Sequence, residues 1–178
     1  AMTMMANSFG LLPTRNFSQG QFEEAEGISG EHMREELLQR GGKCETSHAC
    51  MAGCAIKSSN ILVTEDGETM VSPMEYETLG LMGSNLGIGD IDAVACLNAV
   101  VNELGLDTIE IGAALGVAAD AGLMEFGDGE RALELVNEIK AGTPLGRVLG
   151  NGATITGQVL GVERVPAVKG QALSAYDP

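Results

Sequence analysis

Asp90-Ile-Asp-Ala-Val-Ala-Cys-Leu-Asn-Ala-Val-Val-Asn-Glu-Leu-Gly105-Leu-Asp107-Thr-Ile-Glu-Ile-Gly-Ala-Ala-Leu-Gly-Val-Ala-Ala-Asp-Ala-Gly122 is the stretch that decides the fold. Asp90 reads as an N-cap, and Ile91, Val94, Leu97 and Val101 then recur at helical spacing until Gly105 ends the run. Asp107 opens a second helix, with Glu110 three residues on as its capping-box partner. Ile109, Ile111, Ala114, Leu115, Val117 and Ala118 make that helix apolar on more than one side, so it belongs at the centre of the molecule. Two helices of this kind, joined by a short turn, predict a mainly helical protein.

The flanking sequence agrees. Ser29 reads as the N-cap of a helix to about Arg40, stopped by Gly41-Gly42, with Met33, Leu37 and Leu38 as its apolar stripe. Asp128 caps another to about Lys140, and Thr143-Pro144 starts a short one with proline at its first position. Glu75 to Gly83 and Ala153 to Leu160 also read as helical. The exception lies at Asn60 to Ser72, where β-branched residues alternate around Glu65-Asp66-Gly67 and predict a small β-hairpin. The first ~28 residues read as an irregular arm and the tail from Gly161 as extended. The fold class is therefore all-α with one hairpin near 60–72.

With 178 residues the chain is long enough for one domain with its own core. Aromatics are 3% and Trp is absent, while there are 25 glycines, so the core is expected to be aliphatic, with close helix approach at small residues. No apolar run approaches the ~20 residues of a membrane span, and the N-terminus lacks the basic and apolar regions of a secretory signal. The net charge of −15 argues against nucleic acid, whose phosphates need a basic patch. Four cysteines are too few for a disulfide scaffold in such a chain, and their clustering points to a reducing compartment, the cytoplasm.

Three of the four fall together, in Cys44-Glu-Thr-Ser-His-Ala-Cys50-Met-Ala-Gly-Cys54. Thiolates this close hold a soft metal or an iron–sulfur cluster, or stay as free thiols. Cys50 and Cys54 would share one face of a helical turn, with Cys44 in the loop before it. His48 reads equally as a ligand or as a hydrogen-bond donor to a sulfur. A zinc site from Cys44, His48, Cys50 and Cys54 has the right ligand types at a compressed spacing. Glu75 and Glu77 flank Tyr76 at a helix start, either as charges favoured by the macrodipole or as an acid–base group; at i and i+2, at most one should enter a site. Asn102-Glu-Leu-Gly105-Leu106-Asp107 is a glycine C-cap followed by an aspartate N-cap, or a set of acceptors at a tight turn for the amino and ring-nitrogen donors of a pterin.

Leu12-Pro-Thr-Arg-Asn-Phe17, the cysteine cluster, Glu75-Tyr-Glu-Thr78 with Gly83-Ser-Asn85, Gly105-Leu-Asp-Thr-Ile109, and Val168-Lys-Gly170 with Ala175-Tyr-Asp-Pro178 resemble, in order, the tungsten-dependent aldehyde:ferredoxin oxidoreductase family. The resemblance implies that residues 1–178 are the central helical domain, with the N-terminal pterin-cradling domain and the C-terminal helical domain elsewhere. It implies a tungsten or molybdenum bis-pterin, held by dithiolenes, and a 4Fe–4S cluster relaying electrons from a small aldehyde to ferredoxin. Cys50 and Cys54 become cluster ligands, and Cys44 the best candidate for a third, because Ser47 and Ser58 stand where other members have cysteine. Glu77 becomes the proton-transferring carboxylate. Asn102, Gly105, Leu106 and Asp107 become the pterin-binding motif, with Asn102 in place of its usual aspartate. A related alternative is the tungsten subunit of an aromatic acyl-CoA or carboxylate reductase. A further alternative is a non-catalytic helical module. Half the pterin pocket and one cluster ligand are expected elsewhere, so the isolated chain is expected to bind no cofactor and to be inactive. Homo-oligomerisation stays an open expectation.

Overall fold

A computed structural model describes residues 2–41 and 49–176. The chain is mainly helical, with two small antiparallel hairpins. Helix α1 (Met2–Phe9) is followed by an irregular segment and α2 (Gly30–Arg40). Strands β1 (Asn60–Val63) and β2 (Thr69–Met74) form the first hairpin. A single turn of α-helix, α3 (Tyr76–Thr78), widens into a π-helical turn at Leu79–Gly83 and tightens again at Ser84–Leu86. Then come α4 (Ile91–Glu103), α5 (Thr108–Asp120), α6 (Gly129–Ala141), α7 (Pro144–Leu149) and α8 (Gly152–Leu160). Strands β3 (Ala167–Val168) and β4 (Gln171–Ala172) close the second hairpin.

The helix starts follow the side-chain chemistry read from the sequence. Ser29 Oγ accepts from the His32 amide, and Asp90, Asp107, Asp128 and Thr143 accept from amides one turn into α4, α5, α6 and α7. Helix α5 is central, as its all-round apolarity requires: every residue from Ile111 to Ala119 is buried. It packs on α8, on α4 and on the π-helical turn. The approach is close because α5 carries glycine there. A Cβ built on Gly112 would lie 2.7 Å from the Leu81 carbonyl oxygen, a backbone atom that cannot rotate away.

The first hairpin pairs Asn60 with Met74, Leu62 with Val71 and Val63 with Thr69, and it turns at Gly67 with φ +78°. Arg40 fastens it to the bundle. Its guanidinium donates to the Val63 carbonyl at 3.1 Å and to both oxygens of Asp92 on α4 at 2.6 and 2.7 Å.

Four sequence expectations need correction. The start of the chain is not irregular throughout, since α1 forms there and buries Thr3 and Ala6. The tail is not simply extended but folds into β3–β4, turning at Lys169 and Gly170, both with positive φ. Residues 50–54 form no helix: the Cys54 amide donates to the Met51 carbonyl at 3.2 Å, and Gly53 sits at φ +87°. Glu110 does not close a capping box. Its Oε2 accepts from the Ala153 amide at 3.3 Å and its Oε1 from the Ala172 amide at 2.6 Å, so it ties α5 to the start of α8 and to β4.

Candidate active site

The segment 75–86 is where the sequence signatures meet. The Arg15 amide donates to the Ser84 carbonyl at 3.1 Å, and the Asn16 amide to the Asn85 carbonyl at 2.9 Å. This docks Leu12–Phe17 on Gly83–Asn85. Arg15, Asn16 and Phe17 are all left-handed, with φ of 46°, 54° and 55°. Three non-glycine residues in that region persist only where the surroundings over-determine them. Tyr76 Oη donates to the Ala175 carbonyl at 3.0 Å, and the Tyr76 and Tyr176 rings lie 5.3 Å apart, which holds the tail against α3. The Thr78 and Thr108 hydroxyls meet at 3.0 Å and join α3 to α5. Ser59, which follows the cysteine turn and is fully buried, donates to Glu75 Oε1.

Between these contacts lies a cavity of about 330 Å³. Glu75 and Glu77 come from the start of α3, Asn98 and Asn102 from α4, Asp107 and Thr108 from the start of α5, and Ser174 from the tail. Its lining is rich in acceptors, with three carboxylates and two amides. Of the residues singled out in the sequence, Glu77, Asn102 and Asp107 come together here. Gly105 and Leu106 face a neighbouring cleft, which Asp107 also lines together with Glu110 and Gly152. Cys50 and Cys54 do not line the cavity, and Cys44, Ser47 and His48 lie outside the described residues.

Both glutamates border the cavity, against the expectation that only one could. The i, i+2 argument assumes helical backbone at both positions. Glu75 instead precedes the helix, with φ −109° and ψ 161°, and this extended conformation turns its side chain to the same side as Glu77. Asn98, Ser174 and Ser59 carry no local sequence signal, and Thr108 is marked only as part of the Gly105-Leu-Asp-Thr-Ile109 segment. They reach the site only because α4, α5, the tail and the cysteine turn pack together.

The described donors fit the chemistry of the groups that the sequence resemblance implies. Asp107 Oδ1 accepts from the Ile109 amide at 2.9 Å, and its Oδ2 has no hydrogen-bond partner among the described residues. Gly105, at φ +69°, leaves open space beside it, since a Cβ there would meet nothing within 4 Å. Exposed Asn102 and Asp107 thus offer acceptors on an open edge, which suits the N–H-rich edge of a pterin. Cys54 is pulled down in pKa by the backbone N–H groups of Lys57 and Ile56. That favours the thiolate, the form that binds iron. Cys50 is raised, first by its neighbour Cys54 and then by burial. Among the described residues no group of three or more His, Cys, Asp or Glu is arranged around a metal position.

Burial, then the charges of Tyr176 and Glu77, push Tyr76 up to about 12. In the unfolded chain the phenol titrates near ~10, so unfolded protein loses this proton first. The stability that Tyr76 contributes is therefore whole below pH ~10 and is lost between about 10 and 12. Denaturant titrations across that window should show a steep fall for the native chain and a shallower one for Tyr76→Phe. Equal slopes would mean that the phenol is not held neutral by the fold.

The family described as "Aldehyde ferredoxin oxidoreductase, domains 2 & 3" matches residues 1–178. The tungsten-containing aldehyde ferredoxin oxidoreductase of Pyrococcus abyssi is 33% identical over 189 residues, covering 97% of this chain and 30% of the relative. That of Thermococcus kodakarensis is 34% identical over 189 residues, and that of Pyrococcus furiosus 33% over 187. In each case the match again takes in 97% of this chain and 30% of the relative's length.

Proposed function

Because the chain belongs to the aldehyde ferredoxin oxidoreductase family, in the region of its domains 2 and 3, we propose that it is the central helical domain of a tungsten or molybdenum pterin oxidoreductase. The proposed reaction oxidises a small aldehyde with water to a carboxylic acid and sends two electrons, one at a time, through a 4Fe–4S cluster to ferredoxin in the cytoplasm. The observation that carries this reading is the cavity lined together by Glu77 of α3, Asn102 near the end of α4 and Asp107, the cap of α5. A carboxylate for proton transfer and acceptors for a pterin edge occupy one space, although 25 residues or more separate them in sequence.

The chemistry that the metallopterin supplies when bound is acceptance of the electron pair from the aldehyde. The roles of this chain follow from its own side chains. Asp107 Oδ2 and Asn102 Oδ1 accept hydrogen bonds from the pterin's amino and ring N–H groups and so orient it. Glu77 holds and moves a proton at its carboxylate as water adds to the carbonyl carbon. Cys50 and Cys54 supply two thiolates to the cluster, and Cys44 is proposed as a third. No helix among the described residues is long and apolar enough to cross a membrane.

Metal analysis and EPR test this on the natural full-length protein, purified without oxygen. Tungsten or molybdenum together with about four irons per chain is the expected result. A protein that holds zinc and neither of these metals sinks the reading. The 178-residue chain prepared in parallel should hold neither centre, because the remaining ligands and pterin contacts are assigned to the other domains.

A further inference from the structure

We propose that Glu75 is a positioning and relay residue: it receives the proton that Glu77 takes from the reaction and clears it from the cavity. The inference rests on the reading of Glu77 given above. It starts from the balance of the reaction. An aldehyde and a water become a carboxylic acid, releasing two electrons to the ferredoxin-class acceptor and two protons to solvent. One carboxylate can hold only one of those protons, so Glu77 must pass on its first before it can take the second.

The lining of the cavity limits where that proton goes. No lysine, arginine or histidine lines it among the described residues. The Glu77 carboxylate makes no hydrogen bond or ion pair with a described residue. Thr78 and Thr108 spend their hydroxyls on each other. Asp107 is committed to the α5 cap through Oδ1 and, in the proposed function, to the pterin through Oδ2. Glu75 is the remaining carboxylate of the lining among the described residues. It borders the same cavity, and its Oε1 is fixed by the hydroxyl of the fully buried Ser59. Its Oε2 has no hydrogen-bond partner among the described residues.

That division suits a relay. One oxygen is anchored, so the carboxylate stays oriented, and the other is open to accept a proton and release it. The anchor also gives the buried hydroxyl at position 59, between the cysteine turn and β1, its hydrogen-bond partner. Ser59 holds Glu75 and does not itself line the cavity, so its effect must run through Glu75.

The test uses the full-length, metal-loaded protein with Glu75→Gln, Glu75→Asp and Ser59→Ala. Glu75→Gln should lower kcat by roughly tenfold to a hundredfold, below the loss for a group acting directly on the substrate. KM and metal content should stay at wild-type levels, and the solvent deuterium isotope effect on kcat should rise as proton clearance becomes limiting. Glu75→Asp should recover most of the rate, and Ser59→Ala should fall between the two. A readout independent of turnover comes from the cofactor-free 178-residue chain. There the Glu77 carboxyl-carbon NMR resonance should move when Glu75→Gln is introduced. An unchanged kcat, an unmoved resonance, or a Glu75→Asp variant no better than Glu75→Gln overturns the relay. If Glu77→Gln abolishes turnover while Glu75→Gln is fully active, only the relay fails. If Glu77→Gln is itself active, the reading of Glu77 fails and the relay with it.

Discussion

Glu77→Gln in the full-length enzyme is expected to lower kcat for aldehyde oxidation by about 10²–10⁴-fold while leaving tungsten and iron content intact. The size of the effect follows from what the substitution removes. Glutamine matches glutamate in volume and keeps one acceptor oxygen, so the cavity retains its shape. It cannot hold a proton, so only general acid–base work is lost. No hydrogen bond or ion pair of Glu77 with a described residue is broken, which makes a folding defect a poor explanation for any loss of rate. The substitution should lower kcat and kcat/KM together, as expected for an interaction that matters only in the transition state. A variant with wild-type kcat and a raised KM would instead make Glu77 a binding residue. In that case the acid–base role would have to move to Glu75 or Asp107, the other carboxylates of the cavity.

The helices were legible because their ends are local. Ser29, Asp90, Asp107, Asp128 and Thr143 each satisfy an amide within three residues, and a motif that short can be read without the rest of the fold. Helix α1 has no such signal in the sequence, because no Ser, Thr, Asp or Asn precedes Met2, and it buries only Thr3 and Ala6. Glu110 shows the limit of local reading. Its spacing from Asp107 fits a capping box, but the carboxylate finds better partners in Ala153 and Ala172, which are 43 and 62 residues away. The same limit governs the site. Glu77 and the 102–107 turn could be marked in the sequence by resemblance, but that they line one cavity depends on α3, α4 and α5 packing side by side. Glu75 departs from expectation for the opposite reason. A helical side-chain rule does not hold one residue before the helix begins, where the backbone is still extended.

The five signature segments, each weak alone, gain meaning from a shared neighbour. Leu12–Phe17 docks on Gly83–Asn85, Ser59 on Glu75, Thr108 on Thr78 and Ala175 on Tyr76. All four contacts fall on residues 75–85, the segment that carries both glutamates. A cavity wall held from four sides keeps its carboxylates in place, and such preorganisation is what proton transfer at a fixed atom requires. The wide turn within this wall is part of the device. Gly80 lets Ala175 approach so closely that a Cβ on residue 80 would lie 2.5 Å from the Ala175 Cβ.

Leu81→Ala should therefore be among the most destabilising single substitutions in the chain. Leu81 is fully buried, in the middle of the π-helical turn, in a cluster with Ala113, Val117, Ala153, Ala172 and Ala175. Four of those five buried neighbours are alanines, whose side chains have no length with which to collapse into a gap, and the longer Phe17, Tyr76, Ile109, Val162 and Val165 pack around them at the cluster's partly buried edge. Their backbones belong to α5, α8 and the tail, which are themselves held by Glu110 and Tyr76. A cavity left there stays open, and the cost of a Leu→Ala change rises with the cavity that persists. The expected loss is about 4–5 kcal/mol, the upper part of the ~2–5 kcal/mol range for such changes. For a domain of this size that lowers the melting temperature by roughly 8–20 °C. Leu81→Met conserves volume and should cost less than about 1.5 kcal/mol. Urea melts of the two variants beside the native chain decide the point. A Leu81→Ala loss near 2 kcal/mol would show that the tail or α8 closes over the gap. The wall bearing Glu75 and Glu77 would then be softer than its contacts imply.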